Sequence, residues 1–316
     1  MLDPQAKAYL DLLASLGAPP LHSLGAPQAR VAYKKARAIA QPAPPEVGAV
    51  AALSAEGPAG QIPLRYYRPT GSAAADVLPV LVFLHGGGWT IGDLDTHDVV
   101  CRELCNRAAC AVVSVDYRLA PEHKFPAAVD DTIAATRWVV QHAQRLAVDP
   151  ARVAIGGDSA GGNLATVAAL ALRDAGGPRL ALQLLIYPAT DFRCNTPSHT
   201  KNGSGYLLTR EAIDYFSRSY LSGPHEATDW RASPALAASL RGLPPAFVLT
   251  AGYDPLLDEG AHYAQALRDA GVPVEYVCFD AQIHGFITMS KLIDEASAAF
   301  DCCAIALKRA FAQSAR

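Results

Sequence analysis

A chain of 316 residues, 51% of them hydrophobic and 18% charged, has the apolar material for a large core in one or two domains, which excludes disorder. Its formal net charge of -3 and pI near 6.3 give no basic field, so nucleic acid is excluded as a partner and small-molecule chemistry is favoured. Seven cysteines without paired C-x-x-C spacing argue against a zinc site and for buried, reduced thiols. The N-terminus lacks the basic and apolar sections of a signal peptide and no apolar run is long enough to span a membrane, so a cytoplasmic location is expected.

In chain order, residues 6–16 place Tyr9, Leu10, Leu12, Leu13 and Leu16 at helical spacing, and a second helix is predicted over 27–40. Pro42, Pro44 and Pro45 make a stiff joint, which divides an N-terminal arm, 1–45, from the main domain. Residues 47–53 and 62–67 read as two strands of a hairpin at a sheet edge. From there, apolar strands at 80–84, 111–115, 153–155, 182–187, 246–250 and 274–279 alternate with helices. That alternation predicts an α/β fold, a mostly parallel sheet of about eight strands with helices on both faces. The rhythm breaks once, at a polar insertion over 191–240 with a helix predicted at 209–220. Connections this long usually serve a purpose, and with the N-terminal helices this one is expected to form a cap. The main domain is then 46–190 together with 241–316.

Chemistry concentrates in two glycine-rich corners. Gly157 and Gly161 flank Ser159 in a G-x-S-x-G pattern between a strand and a helix, so the serine is exposed on a sharp turn and the Ala160 N–H is aimed at an oxyanion. Upstream, His85-Gly86-Gly87-Gly88-Trp89 ends a strand, and its glycines bare backbone N–H groups suited to an oxyanion hole. Trp89 and Asp158, beside these motifs, are expected to face substrate, whereas His85 is read as structural. Ser159 needs a base and an acid that follow it in the order serine, acid, histidine. His284, after the last strand, fits the base, and His262, inside a predicted helix, does not. Asp254, at the exit of the preceding strand, is preferred as the acid over Asp280, and Asp258 stays open as its alternative.

The chain resembles the hormone-sensitive-lipase-like bacterial carboxylesterases of the α/β-hydrolase superfamily over nearly its whole length. The resemblance rests on His85 to Trp89, the run from Asp116 to Ala127, Gly157 to Asn163, Tyr187-Pro188, Asp254 to Glu259, and His284-Gly285-Phe286. It implies Ser159, Asp254 and His284 as a triad, Gly87, Gly88 and Ala160 as oxyanion donors, and a helical cap. The expected reaction is hydrolysis of short- to medium-chain acyl esters through a covalent acyl-enzyme, without metal or organic cofactor. An amidase or deacetylase acting on arylamides would use the same triad, and a non-catalytic small-molecule receptor could keep the scaffold. The partner expected is a small-molecule ester, with no nucleic acid and no membrane span, and a homodimer is compatible with these features.

Overall fold

The computed structural model describes residues 1–17 and 19–314. Two helices lead, α1 (Pro4–Ser15) and α2 (Ala26–Ala40). Asp3 caps α1, its carboxylate accepting from the N–H groups of Gln5 and Ala6, and a proline in the first turn of each helix forfeits no helical hydrogen bond. The proline-rich joint then releases the chain into a hairpin, β1 (Ala49–Gly57) and β2 (Gly60–Arg68), whose register pairs Gly57 with Gly60. Both strands extend past Leu53 and Tyr67, because backbone pairing carries them through polar and glycine residues that the hydrophobic pattern does not mark.

Six more strands, β3 (Leu78–Leu84), β4 (Ala111–Val115), β5 (Val148–Asp158), β6 (Leu182–Ile186), β7 (Ala246–Tyr253) and β8 (Val274–Ile283), complete the sheet in the order β1-β2-β4-β3-β5-β6-β7-β8. β2 runs antiparallel to both neighbours, and every pair from β4 to β8 is parallel. The helices that connect or follow these strands are α3 (Asp98–Ala108), α4 (Ala127–Gln141), a single turn α5 (Ala143–Leu146), α6 (Ala160–Asp174), α7 (Pro197–Lys201), α8 (Arg210–Tyr220), α9 (Leu257–Asp269) and α10 (Glu295–Ser314).

The pleat sorts each strand between two cores. Val80, Val82 and Leu84 of β3 join Val113 and Ile155 under α4, α6 and α9, while Leu81 and Phe83 join Val112 and Ala154 under α3 and α10. Burial on both faces is why the central strands read as unbroken apolar runs. Each fully buried valine, leucine, isoleucine or phenylalanine among them contributes about 1.5–3 kcal/mol.

Two differences from the expected elements bear on the site. β8 does not stop at Phe279, since Tyr253 pairs with Ile283 past an irregularity after Ala251. His284 therefore leaves the sheet directly, not from a free loop. The connection from β6 to β7 holds α7 and two 3-10 turns (Pro224–Thr228 and Pro234–Leu236) besides α8. Thr209 caps α8, accepting from the Ala212 N–H at 3.3 Å. All seven cysteines are free thiols, and Cys101, Cys105, Cys110 and Cys303 are buried. Among the described residues, no helix is long and apolar enough to cross a membrane.

Candidate active site

β5 ends at Asp158 and α6 begins at Ala160, leaving Ser159 alone at the corner with φ 55° and ψ -118°. A side chain rarely adopts that backbone, so neighbouring groups must hold it. The Ser159 N–H donates to Ile186 O on β6 at 2.8 Å. A Cβ on either Gly157 or Gly161 would collide with the Leu84 carbonyl at the end of β3, so the corner closes only with glycine at both positions.

The corner presents Ser159 Oγ 2.9 Å from His284 Nε2, and His284 Nδ1 lies 2.6 Å from Asp254 Oδ2. With Nδ1–H donating to the carboxylate, Nε2 is left to accept from the serine hydroxyl. The fully buried Asp254 also accepts from the Leu256 N–H at 2.8 Å, and the Asn202 amide donates to the carbonyls of Gly252 and Asp254. Each of the three side chains belongs to the first residue beyond a strand: β5 for Ser159, β7 for Asp254 and β8 for His284. The parallel sheet thus brings distant residues together at the edge where its strands end. Asp258 lies outside this line and accepts from the Ser198 N–H at 2.7 Å. Asp280 and His262 are exposed.

The loop after β3 supplies the backbone donors. The Gly86 N–H donates to Asp158 Oδ1 at 2.8 Å, and His97 Nε2 lies 3.2 Å from the same oxygen. Among the described residues, the N–H groups of Gly87, Gly88 and Ala160 donate to no other protein group. Gly87 and Gly88 have φ 124° and 55°, and a Cβ would strike the Ile91 carbonyl at the first and the Phe216 ring at the second. His85 lies beneath this loop, stacked on Tyr117 with ring centroids 4.3 Å apart. Burial, helped by nearby His97, lowers its pKa to about 4, so it is a neutral wedge. Burial alone would raise the Asp158 carboxyl, but His97, the Gly86 N–H and His85 together hold it below the ordinary carboxylate range.

Of the two residues expected to face substrate, Trp89 is buried and stacked on Tyr220 at 4.6 Å, in the cavity wall. Asp158 also borders the cavity, yet its hydrogen bonding is directed at the loop after β3. The cavity, about 560 Å³, is floored by Ser159 and His284. Tyr9, Leu13, Tyr33 and Arg37 line it from α1 and α2, and Ile213 and Phe216 from α8. Sequence reasoning missed Arg37, His97 and Asn202. Arg37 had a signal, since it follows Tyr33 by one turn on the buried stripe of α2, but His97 and Asn202 had none. Among the described residues, no group of three or more His, Cys, Asp or Glu side chains comes together to hold a metal ion.

The sheet order and the strand-serine-helix corner define an α/β hydrolase. A model of the alpha/beta hydrolase fold family matches residues 81–288. The carboxylic ester hydrolase LipN of Mycobacterium tuberculosis is 49% identical over 267 residues, covering 83% of this chain and 70% of LipN. The ethyl acetate hydrolase of Pseudomonas putida is 39% identical over 303 residues, covering 93% and 95% of the two chains. Among solved structures, an ester hydrolase from the metagenome of Lake Arreo, complexed with a derivative of bipyridine phosphonate, superposes with a TM-score of 0.96 at 45% identity, covering 99% of this chain and 100% of that one. The chain belongs to the α/β-hydrolase family, to its hormone-sensitive-lipase-like branch, and is a carboxylic ester hydrolase.

Proposed function

We propose that the chain hydrolyses short- to medium-chain acyl esters through a covalent acyl-enzyme on Ser159. The observation that carries this reading is the hydrogen-bonded line from Asp254 through His284 to Ser159 on the cavity floor. As Ser159 Oγ attacks the ester carbonyl, His284 Nε2 takes its proton and Asp254 stabilises the resulting imidazolium. The N–H groups of Gly87, Gly88 and Ala160 receive the developing oxyanion without reorganising. His284 then protonates the departing alcohol, and water, deprotonated by the same nitrogen, cleaves the acyl-serine.

The acyl range follows from the cover over the site. In this reading 1–45 and 191–240 act as one cap, because α1, α2 and α8 all line the cavity. A covered apolar pocket excludes water from the oxyanion and limits the chain it can house. Nitrophenyl esters from acetyl to palmitoyl test both halves of the proposal. We expect kcat/KM to peak at or below octanoyl, and a peak at palmitoyl would overturn the covered-pocket reading. Ser159→Ala should lower turnover by roughly a millionfold and abolish labelling by a phosphonate ester. Wild-type turnover in that variant would remove Ser159 as the nucleophile.

A further inference from the structure

Arg37 brings a permanent positive charge to the cavity wall. It borders the cavity from α2 and is only 4% exposed. Its hydrogen bonds go to two neutral hydroxyls, Nη1 to Thr288 Oγ1 and Nη2 to Tyr9 Oη at 3.3 Å, and its guanidinium carbon lies 5.0 Å from the Tyr33 ring centroid. Nε has no partner, so three of the five N–H donors of this fork are unused. No carboxylate among the described residues lies within ion-pair distance of it, although a guanidinium keeps its charge and a buried charge calls for a counter-charge.

The carboxylates bordering the same cavity have other partners. Asp158 holds the Gly86 N–H, Asp191 pairs with Arg193, and Glu259 takes His199 and the Thr190 N–H, while Glu211 is exposed. Among the described residues, Arg37 is the one arginine or lysine bordering the cavity. It is also fixed relative to the reacting groups, because its partner Thr288 donates to the Gly285 carbonyl at 2.7 Å, next to His284.

We propose that Arg37 is an anion-recognising subsite of the ester pocket, and that the esters taken best carry a carboxylate remote from the bond that is cut. This rests on the esterase reading of Ser159. The carboxylate can come from either half of the substrate, as a half-ester of a dicarboxylic acid or as the acyl ester of a hydroxy acid. Either would bring the missing counter-charge and accept from the unused Nη donors in charge-assisted hydrogen bonds, Nε itself having no surface open to the cavity.

Two matched pairs of substrates test it. Monomethyl glutarate against methyl pentanoate replaces a methyl by a carboxylate on the acyl side, and O-acetyl-γ-hydroxybutyrate against butyl acetate does so on the alcohol side. In at least one pair, the ratio of kcat/KM, anionic over neutral, should be at or above one in the wild type. It should fall roughly ten- to a hundredfold in Arg37→Met and recover in part in Arg37→Lys. The pair that responds assigns the half. A ratio that Arg37→Met leaves unchanged in both pairs overturns the proposal, whatever its wild-type value. Should that variant not fold, calorimetric titration of glutarate into Ser159→Ala protein decides: salt-sensitive binding supports the subsite and absence of binding removes it. Failure of all four esters to turn over would instead bring down the esterase reading, and the same titration would still decide the role of Arg37.

Discussion

His85 shows what a single buried side chain does for the site. Its ring is stacked on Tyr117, its Nδ1 lies 2.9 Å from Gly86 O, and Tyr117 donates to the His85 carbonyl at 2.7 Å. A charged imidazole there would lose its hydration and, second to that, face His97, which is why its pKa drops to about 4 from 6.5. The unfolded chain therefore takes up this proton first as pH falls. The stability that follows is complete above about 6.5 and is lost on descent toward 4, and its size is about 3 kcal/mol. Asp116 acts in the opposite sense, since burial raises its pKa to about 6 and the folded protein binds that proton more tightly. Comparing the wild type with His85→Gln separates the two. We expect the variant to be less stable at pH 8, yet to lose less of its urea midpoint between pH 7 and pH 5. Parallel pH profiles would show that His85 is not the neutral wedge described.

At the scale of elements, the corner between β7 and α9 carries two aspartates with different tasks. Asp254 meets His284, whereas Asp258 accepts from Ser198 N–H on α7 and its own N–H donates to Ser198 Oγ at 3.2 Å. Glu259, the next residue, is 2.7 Å from His199 on the same short helix. α7 is thus pinned to α9 by polar contacts at the edge of the cavity. Asp254→Asn should lower kcat by roughly ten-thousandfold with little change in melting temperature, as expected for a residue that orients and stabilises the base. Asp258→Asn should leave kcat/KM within about tenfold and lower stability by about 1 kcal/mol. Reversed outcomes would exchange their roles. What the sequence disclosed here follows the range of the forces involved. The glycines around Ser159 and after His85 were legible because backbone geometry at those corners permits nothing larger. The central strands were legible because both of their faces are buried. Five-residue α7 carries too little periodicity to read, and the last residues of β8 are held by pairing with β7, not by an apolar pattern. His97 and Asn202 reach their partners only through the tertiary fold, so no local spacing marked them.

Across the whole molecule, the N-terminal arm bridges the two sides of the site. On the side of the loop after β3, Arg30 of α2 donates to the carbonyls of Thr90 and Ala120 and pairs with Glu122, and Lys34 pairs with Asp93 and Asp95. On the histidine side, Arg37 reaches Thr288, the Asp3 N–H donates to Ala281 O in β8, and Lys291 N–H donates to Ala40 O. The turn at Leu21–Ser23 packs against α8, joining the arm to the insertion. Exposed ion pairs such as those of Lys34 contribute about 0–1 kcal/mol each, so the arm is held chiefly by burial of Ala6, Tyr9, Ala29 and Ala40. None of this completes the sheet, whose edge strand β1 pairs with β2 alone. We therefore expect deletion of residues 1–41 to preserve the strand signal in circular dichroism. The same deletion should lower kcat/KM on short esters by about tenfold or more, because Tyr9, Leu13, Tyr33 and Arg37 leave the cavity wall and water gains access to the oxyanion. It should also move the preferred acyl chain upward, since the removed helices line the pocket. A truncated protein that folds and keeps the full-length kcat/KM across the ester panel would mean that the arm only stabilises the domain, and that α8 with the rest of the insertion covers the site unaided.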